Sequence, residues 1–230
     1  MKDLIDQKKR PSIVIIMLGN EKLYKNFKHV CYNFNLISQC IRYQNFGKGL
    51  NFSVASNLLR QINSKLGCDL YNLKFDKQLC SNTMLIGIDV CHSGPNSIVG
   101  FCASVNRQRS QYYSERIVQR KGQEIVNKQL KDAIKRSLAC FADRHGDFPE
   151  HFIIYRDGVG DGMRRQVLLE EVNQLREAIF ETYNTAKKKP YITVIIVNKR
   201  ITQRFFVEDN QGRLINPPSG ALIDQKIVEN

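Results

Sequence analysis

The sequence predicts an α/β fold built in two successive parts, and three observations carry that reading. Apolar runs of strand length alternate with stretches whose apolar residues recur at helical spacing. Two of those runs end in an aspartate followed by a turn. The chain also carries a large excess of positive charge, formally +13 over 230 residues.

The first part reads strand, helix, strand, helix, which implies a parallel α/β unit. Pro11–Leu18 is apolar on both faces and closes at Gly19-Asn20. Leu23, Phe27, Val30 and Cys31 then fall at helical spacing, with Tyr24, Lys25 and Lys28 beside them. Leu36–Ile41 is a short second strand. Val54–Lys65 is a helix with Leu58, Leu59 and Ile62 on one side, and Gly67 stands in the expected stop position. The polar stretch Asp76–Asn82 separates this part from the next.

The second part begins with Met84–Val90, a strand with Asp89 near its end. Ser97–Val105 and Gln111–Val118 are two further strands joined by the basic loop Asn106–Ser110. Glu124–Ala142 reads as a helix, with Ile125, Leu130, Ile134, Leu138 and Phe141 as its apolar set. The run His151-Phe-Ile-Ile154 leads into Tyr155-Arg-Asp-Gly-Val-Gly-Asp-Gly162, so a buried strand ends in Asp157 and a glycine-rich turn. A helix over about Met163–Tyr183, the basic connector Lys187–Lys189 and a strand at Tyr191–Val197 follow.

Composition excludes several classes. No apolar stretch is long enough to span a bilayer, and the polar N-terminus is no signal peptide. Seven cysteines without a CxxC pair argue for a reducing compartment, cytoplasmic or nuclear. The positive charge points to a nucleic acid rather than a membrane.

Three strands, a helix, a strand, a helix and a strand match the order of a ribonuclease H-like domain. Phosphodiester hydrolysis on such a sheet needs acids at neighbouring strand ends, because paired metal ions must clamp the attacking and leaving oxygens. Asp89 and Asp157 suit that task, each at the carboxyl end of a strand, where α/β sheets bind ligands. A lone strand-end aspartate usually just caps a turn. Two in matching contexts, in so basic a chain, weaken that alternative.

Ile88-Asp89-Val-Cys-His92, Gln123-Glu124-Ile125, Tyr155–Gly162, Lys199-Arg-Ile-Thr-Gln-Arg-Phe-Phe206 and Asn216-Pro-Pro-Ser-Gly220 resemble, in this order, the PIWI domain of Argonaute/PIWI proteins. Tyr24, Lys28, Gln39 and Gln61-Ile-Asn-Ser-Lys65 resemble the second half of the adjoining MID domain. The resemblance covers nearly all of the chain after Ser12. It implies residues 1–80 as a partial, Rossmann-like MID region and 81–230 as an incomplete PIWI domain, truncated at both ends.

The resemblance also implies roles. Asp89 and Asp157 match the metal-binding aspartates of the catalytic tetrad, and Glu124 its glutamate finger, with Mg²⁺ or Mn²⁺ as cofactor. Without the family, Glu124 reads as a helix-initiating acid. Asp161 matches a structural acid, and Met163 stands where the family commonly has glutamine. The family's fourth ligand, a histidine or aspartate beyond the Asn-Pro-Pro-like segment, has no counterpart before Asn230, and His92, His145 and His151 are misplaced to substitute. Tyr24, Lys28, Gln39, Gln61 and Lys65 match the pocket for a guide 5′-phosphate. Glutamine at 61 is closer to the PIWI clade, in which a metal ion helps neutralise the phosphate. Lys199, Arg200 and Arg204 match residues facing the guide backbone, whereas Lys187–Lys189 read as solvated surface.

The expected function is therefore small-RNA-guided binding and metal-dependent cleavage of a target RNA, alongside other proteins of silencing. A silencing module that binds without cleaving is the first alternative. An unguided ribonuclease H-like nuclease, such as a transposase, is the second; the 5′-end pocket argues against it.

Overall fold

The computed structural model describes residues 10–45, 49, 51–71, 82–92, 94–183, 189–199 and 201–225. Arg200, Lys187, Lys188 and most of the polar stretch before Asn82 lie outside them. The chain forms two compact units, Met1–Val197 and Asn198–Asn230.

The first unit begins with β1 (Val14–Leu18), α1 (Tyr24–Asn33), β2 (Ser38–Arg42) and α2 (Phe52–Lys65). β1 and β2 pair in parallel, Val14 opposite Ser38 and Leu18 opposite Arg42. Ile16, Leu18 and Cys31 form the buried seam between this small sheet and α1. The Asn51 side chain caps α2 by accepting the Ser53 N–H at 2.9 Å. Gly67, at φ +81°, ends it as the sequence anticipates.

The larger sheet holds β3 (Thr83–Cys91), β4 (Ser97–Ser104), β5 (Tyr112–Gln119), β6 (His151–Asp157) and β7 (Tyr191–Val197). Its order is β5-β4-β3-β6-β7, antiparallel from β5 to β3 and parallel across β3, β6 and β7. α3 (Gln129–His145) connects β5 to β6. Between β6 and β7 a continuous helix runs as α4 (Arg164–Gln166), a π-helical stretch (Val167–Val172) and α5 (Asn173–Thr182). The core takes alternate residues of each strand, as a sheet with one covered face requires. Met84, Ile86 and Ile88 of β3 and Phe152 and Ile154 of β6 join Leu130, Ile134, Leu138 and Phe141 of α3 and Leu175 and Ile179 of α5.

One sequence expectation is corrected. The helix predicted to start at Glu124 starts at Gln129, leaving Glu124 in a loop. Ile125 and Val126 are buried there as loop anchors, and Asn127 accepts the Gln129 N–H at 2.9 Å. An apolar run thus imitated a first helical turn. The predicted helix from Met163 is also modified, since its second turn is π-helical.

In the second unit, β8 (Val207–Glu208) and β9 (Leu214–Ile215) form a hairpin. The Asp209 carboxylate, held below its ordinary range by backbone N–H groups of Arg213 and Gln211 and then by the Arg213 side chain, organises its turn.

Gly87 pairs with Cys102 across β3 and β4, and a Cβ there would stand 3.0 Å from Cys102 Sγ. Gly87→Ala is expected to destabilise by about 1–3 kcal/mol through overpacking. Adding Cys102→Ala should recover most of that loss. Thermal unfolding of both single variants and the pair, arranged as a double-mutant cycle, measures the coupling.

Candidate nucleic-acid interface and acidic site

The parallel register of β3 and β6 brings the two strand-end aspartates level. Ile88 lies opposite Arg156, so Asp89 and Asp157 follow on adjacent strands at their carboxyl ends. Strand alternation turns both away from the face that buries Ile88 and Arg156. Gly158 follows at φ +84°, a left-handed turn that glycine adopts freely. A Cβ at Gly158 would lie 3.8 Å from both Asp89 Oδ1 and Glu124 Oε1. Glu124, although in a loop and distant in sequence, therefore brings its carboxylate to the strand ends.

Glu124 is firmly held. His92 Nε2 lies 2.8 Å from Glu124 Oε2, while His92 Nδ1 lies 2.8 Å from Ser97 Oγ. Arg156 Nη2 donates to Glu124 Oε1 and to its backbone oxygen, each at 2.9 Å. Arg156 is 1% exposed and also forms an ion pair with Glu171, itself 1% exposed. Burial alone would lower the Arg156 pKa, but Glu171 first and Glu124 second hold it above the ordinary value.

The donor set is chemically suited to a hard cation. Carboxylate oxygens of Asp89 and Glu124 flank one small space beside Gly158. Among the described residues no three of His, Cys, Asp or Glu form a complete cage. Mg²⁺ needs none, since it keeps waters and commonly takes only one or two carboxylates.

The second cluster lies in the β1-α1-β2-α2 part. Lys28 Nζ donates to Ser38 O and Ser38 Oγ, both at 2.9 Å. Lys65 Nζ donates to the same Ser38 O at 2.9 Å and to Gln39 Oε1 at 2.7 Å. Gln39 Nε2 then donates to Gln61 Oε1 at 3.0 Å. The Lys28 ammonium stands 5.9 Å from the Tyr24 ring centre, and that ring is half exposed. Two ammonium groups thus meet on one carbonyl, and among the described residues neither has an acidic partner. Burial first, and Lys28 second, push Lys65 below the ordinary 10.5. Lys28, Lys65, Ser38 and the Gln39 and Gln61 amides thus form one polar cluster beside a half-exposed aromatic ring.

The Piwi domain family profile matches residues 12–230. The chain belongs to the Piwi family. Piwi-like protein 1 of Danio rerio is 34% identical over 94% of this Piwi chain and 25% of that protein. Protein argonaute-3 of Drosophila melanogaster is 35% identical over 88% of this chain and 22% of that protein. The chain thus spans about a quarter of the length of these curated relatives. In structure, the Kluyveromyces polysporus Argonaute crystallised with a guide RNA matches at a TM-score of 0.74 and 22% identity, covering 94% of this chain and 27% of that one. The C-terminal lobe of a budding yeast Argonaute matches at 0.76 and 20% identity, over 94% of this chain and 46% of that one. These likenesses give the Piwi chain the ribonuclease H-like fold of Argonaute lobes.

The structure therefore gathers Asp89, Glu124 and Asp157 at one end of the large sheet, and Tyr24, Lys28, Gln39, Gln61 and Lys65 around Ser38. Lys199 and Arg204 belong to the second unit, where Arg204 Nη1 donates to Ile201 O and Gln203 O. Sequence reasoning missed Ser38, Arg156 and Glu171, and it considered His92 only as a metal ligand. Arg156 and Glu171 left a signal. Each occupies a position that its element's periodicity reserves for an apolar residue, after Phe152 and Ile154 in the strand and between Val167 and Leu175 in the helix.

Lys65 gives a pH prediction in this Piwi chain. Its charge is lost as pH rises through a value below 10.5, so affinity for a nucleoside 5′-monophosphate should be full below that value and decline above it. Lys65→Arg keeps its charge, so the decline should move to higher pH. Calorimetric titration from neutral to alkaline pH reads the difference.

Proposed function

We propose that the protein containing this chain binds a small guide RNA by its 5′-phosphate and uses it to select and cut a target RNA, in the cytoplasm or nucleus. The supporting observation is the convergence of Glu124 and Asp89 beside Gly158, one residue from Asp157. A pure binding module has no use for three acids at one strand edge. In this reading residues 1–80 carry the guide-end pocket and residues 81–230 the cutting site.

Each residue has a defined task. Tyr24 stacks on the terminal base, while Lys28 and Lys65 turn from Ser38 to the 5′-phosphate and the Gln39–Gln61 amide pair steadies the guide-end pocket. Lys199, Arg200 and Arg204 contact the guide backbone. Base pairing, not protein, reads the target sequence. Asp89 and Asp157 would hold Mg²⁺, which supplies a nucleophilic water and neutralises charge on the leaving oxygen. Glu124 completes the acidic edge, and His92 and Arg156 keep its carboxylate aimed there.

The test uses the full-length protein loaded with a guide. Asp89→Asn and Asp157→Asn should each lower target cleavage at least about a thousandfold while guide affinity stays unchanged. Chelation of divalent metal should abolish cleavage in the parent. Lys28→Ala and Lys65→Ala should each weaken a 5′-phosphorylated guide about ten- to a hundredfold, with little effect on a 5′-hydroxyl guide. Cleavage that persists in Asp89→Asn would sink the catalytic assignment. Tight guide binding without any cleavage by the parent would establish the binding-only function.

A further inference from the structure

The segment 120–127 between β5 and α3 has no regular structure, yet it must place Glu124. β5 supplies some of its anchors: Gln119 Nε2 donates to Gln123 O at 2.7 Å, and Gln119 Oε1 accepts the Asn127 N–H at 3.3 Å. The opposite anchors come from the π-helical stretch and the turn after it. Glu171 Oε1 accepts the Val126 N–H at 2.8 Å, and Gln174 Nε2 donates to Val126 O at 3.2 Å.

Glu171 spends its other capacity on Arg156. Oε2 accepts from Arg156 Nε at 2.8 Å and Oε1 from Nη2 at 3.1 Å, a forked pair that fixes the guanidinium plane. The same Nη2 donates to Glu124 O and Oε1. Stability alone does not account for this arrangement, because a buried ion pair often does no better than apolar packing. Nor does the helix run regularly here, and π-helical turns are rare and occur frequently at functional sites. What the pair does achieve is direction, because every group Glu171 touches belongs to or leads to the Glu124 segment.

We propose that Glu171 is a positioning residue, holding the Glu124 carboxylate at the strand ends through Arg156 and through the Val126 N–H. It touches neither substrate nor cation. Its effect on cleavage rests on the catalytic reading above; its effect on the loop does not.

Glu171→Gln keeps the size and one acceptor oxygen but removes the charge that fixes Arg156. In the guide-loaded full-length protein, hydrogen–deuterium exchange of peptides spanning 123–127 should quicken at least about tenfold, with β3 and α1 unchanged. Single-turnover cleavage should fall about ten- to a hundredfold while guide and target affinities hold. Glu171→Asp keeps the charge and withdraws its reach by one methylene, so it should be intermediate in both measurements and should fold where Glu171→Gln does not. Unchanged exchange at 123–127 in both variants overturns the proposal. So does a uniform rise across β3, β6 and α3 in both, which would make Glu171 a structural residue only. If the parent itself does not cleave, the catalytic reading fails, and the exchange result alone decides whether Glu171 positions Glu124.

Discussion

A single guanidinium, buried at the end of β6, joins the parts of the acidic site. Arg156 reaches Glu171 on the helix that follows, Glu124 in the loop before α3, and the carbonyl of Asp157 on its own strand. Placing a cation there carries a desolvation cost of several kcal/mol, on the order seen for buried ions generally. That cost is tolerable only while its hydrogen-bond partners stay in place. The pairing therefore does more than hold two elements together: it makes their relative placement hard to change. The aspartates need no such device, since the parallel ladder of β3 and β6 aligns them by backbone bonds alone. Glu124 lacks a ladder, and side chains supply its register instead.

The strands were the most legible elements. β7 begins and ends where the apolar run Tyr191–Val197 does, and the alternation in β3, β4 and β5 matches a sheet with one packed face. Legibility failed where an apolar pair served a loop. Val126 falls at helical spacing with Leu130, yet it and Ile125 are pinned by side chains from β5 and from the helix after β6. Periodicity registers that a residue is buried, not which element buries it. The π-helical stretch was equally invisible, because one added residue per turn leaves the apolar spacing nearly intact.

The candidate sites divide along the same line. Aspartates at strand ends could be picked out from pattern, since topology alone places them. The lysines and glutamines around Ser38 could not, since an i,i+4 Tyr24 and Lys28 look like any exposed helix face; the likeness to a family singled them out. Arg156 and Glu171 fell between these cases. Each is a charge on an apolar stripe, and their opposite signs become informative only once the fold has brought them face to face.

The two lysines sharing one carbonyl have a consequence for the unliganded protein. Lys28 and Lys65 repel each other, and among the described residues no carboxylate pairs with either. Folding of this part therefore works against an electrostatic tension that a bound anion would relieve. By linkage, any ligand that binds only the folded cluster raises the stability of the fold by RT ln(1 + L/Kd), with L the free ligand concentration, a gain that keeps growing with free ligand after the site is filled. Occupied and vacant molecules would then differ in how often the β1-α1-β2-α2 part opens, and so in how readily a protease or chaperone finds it.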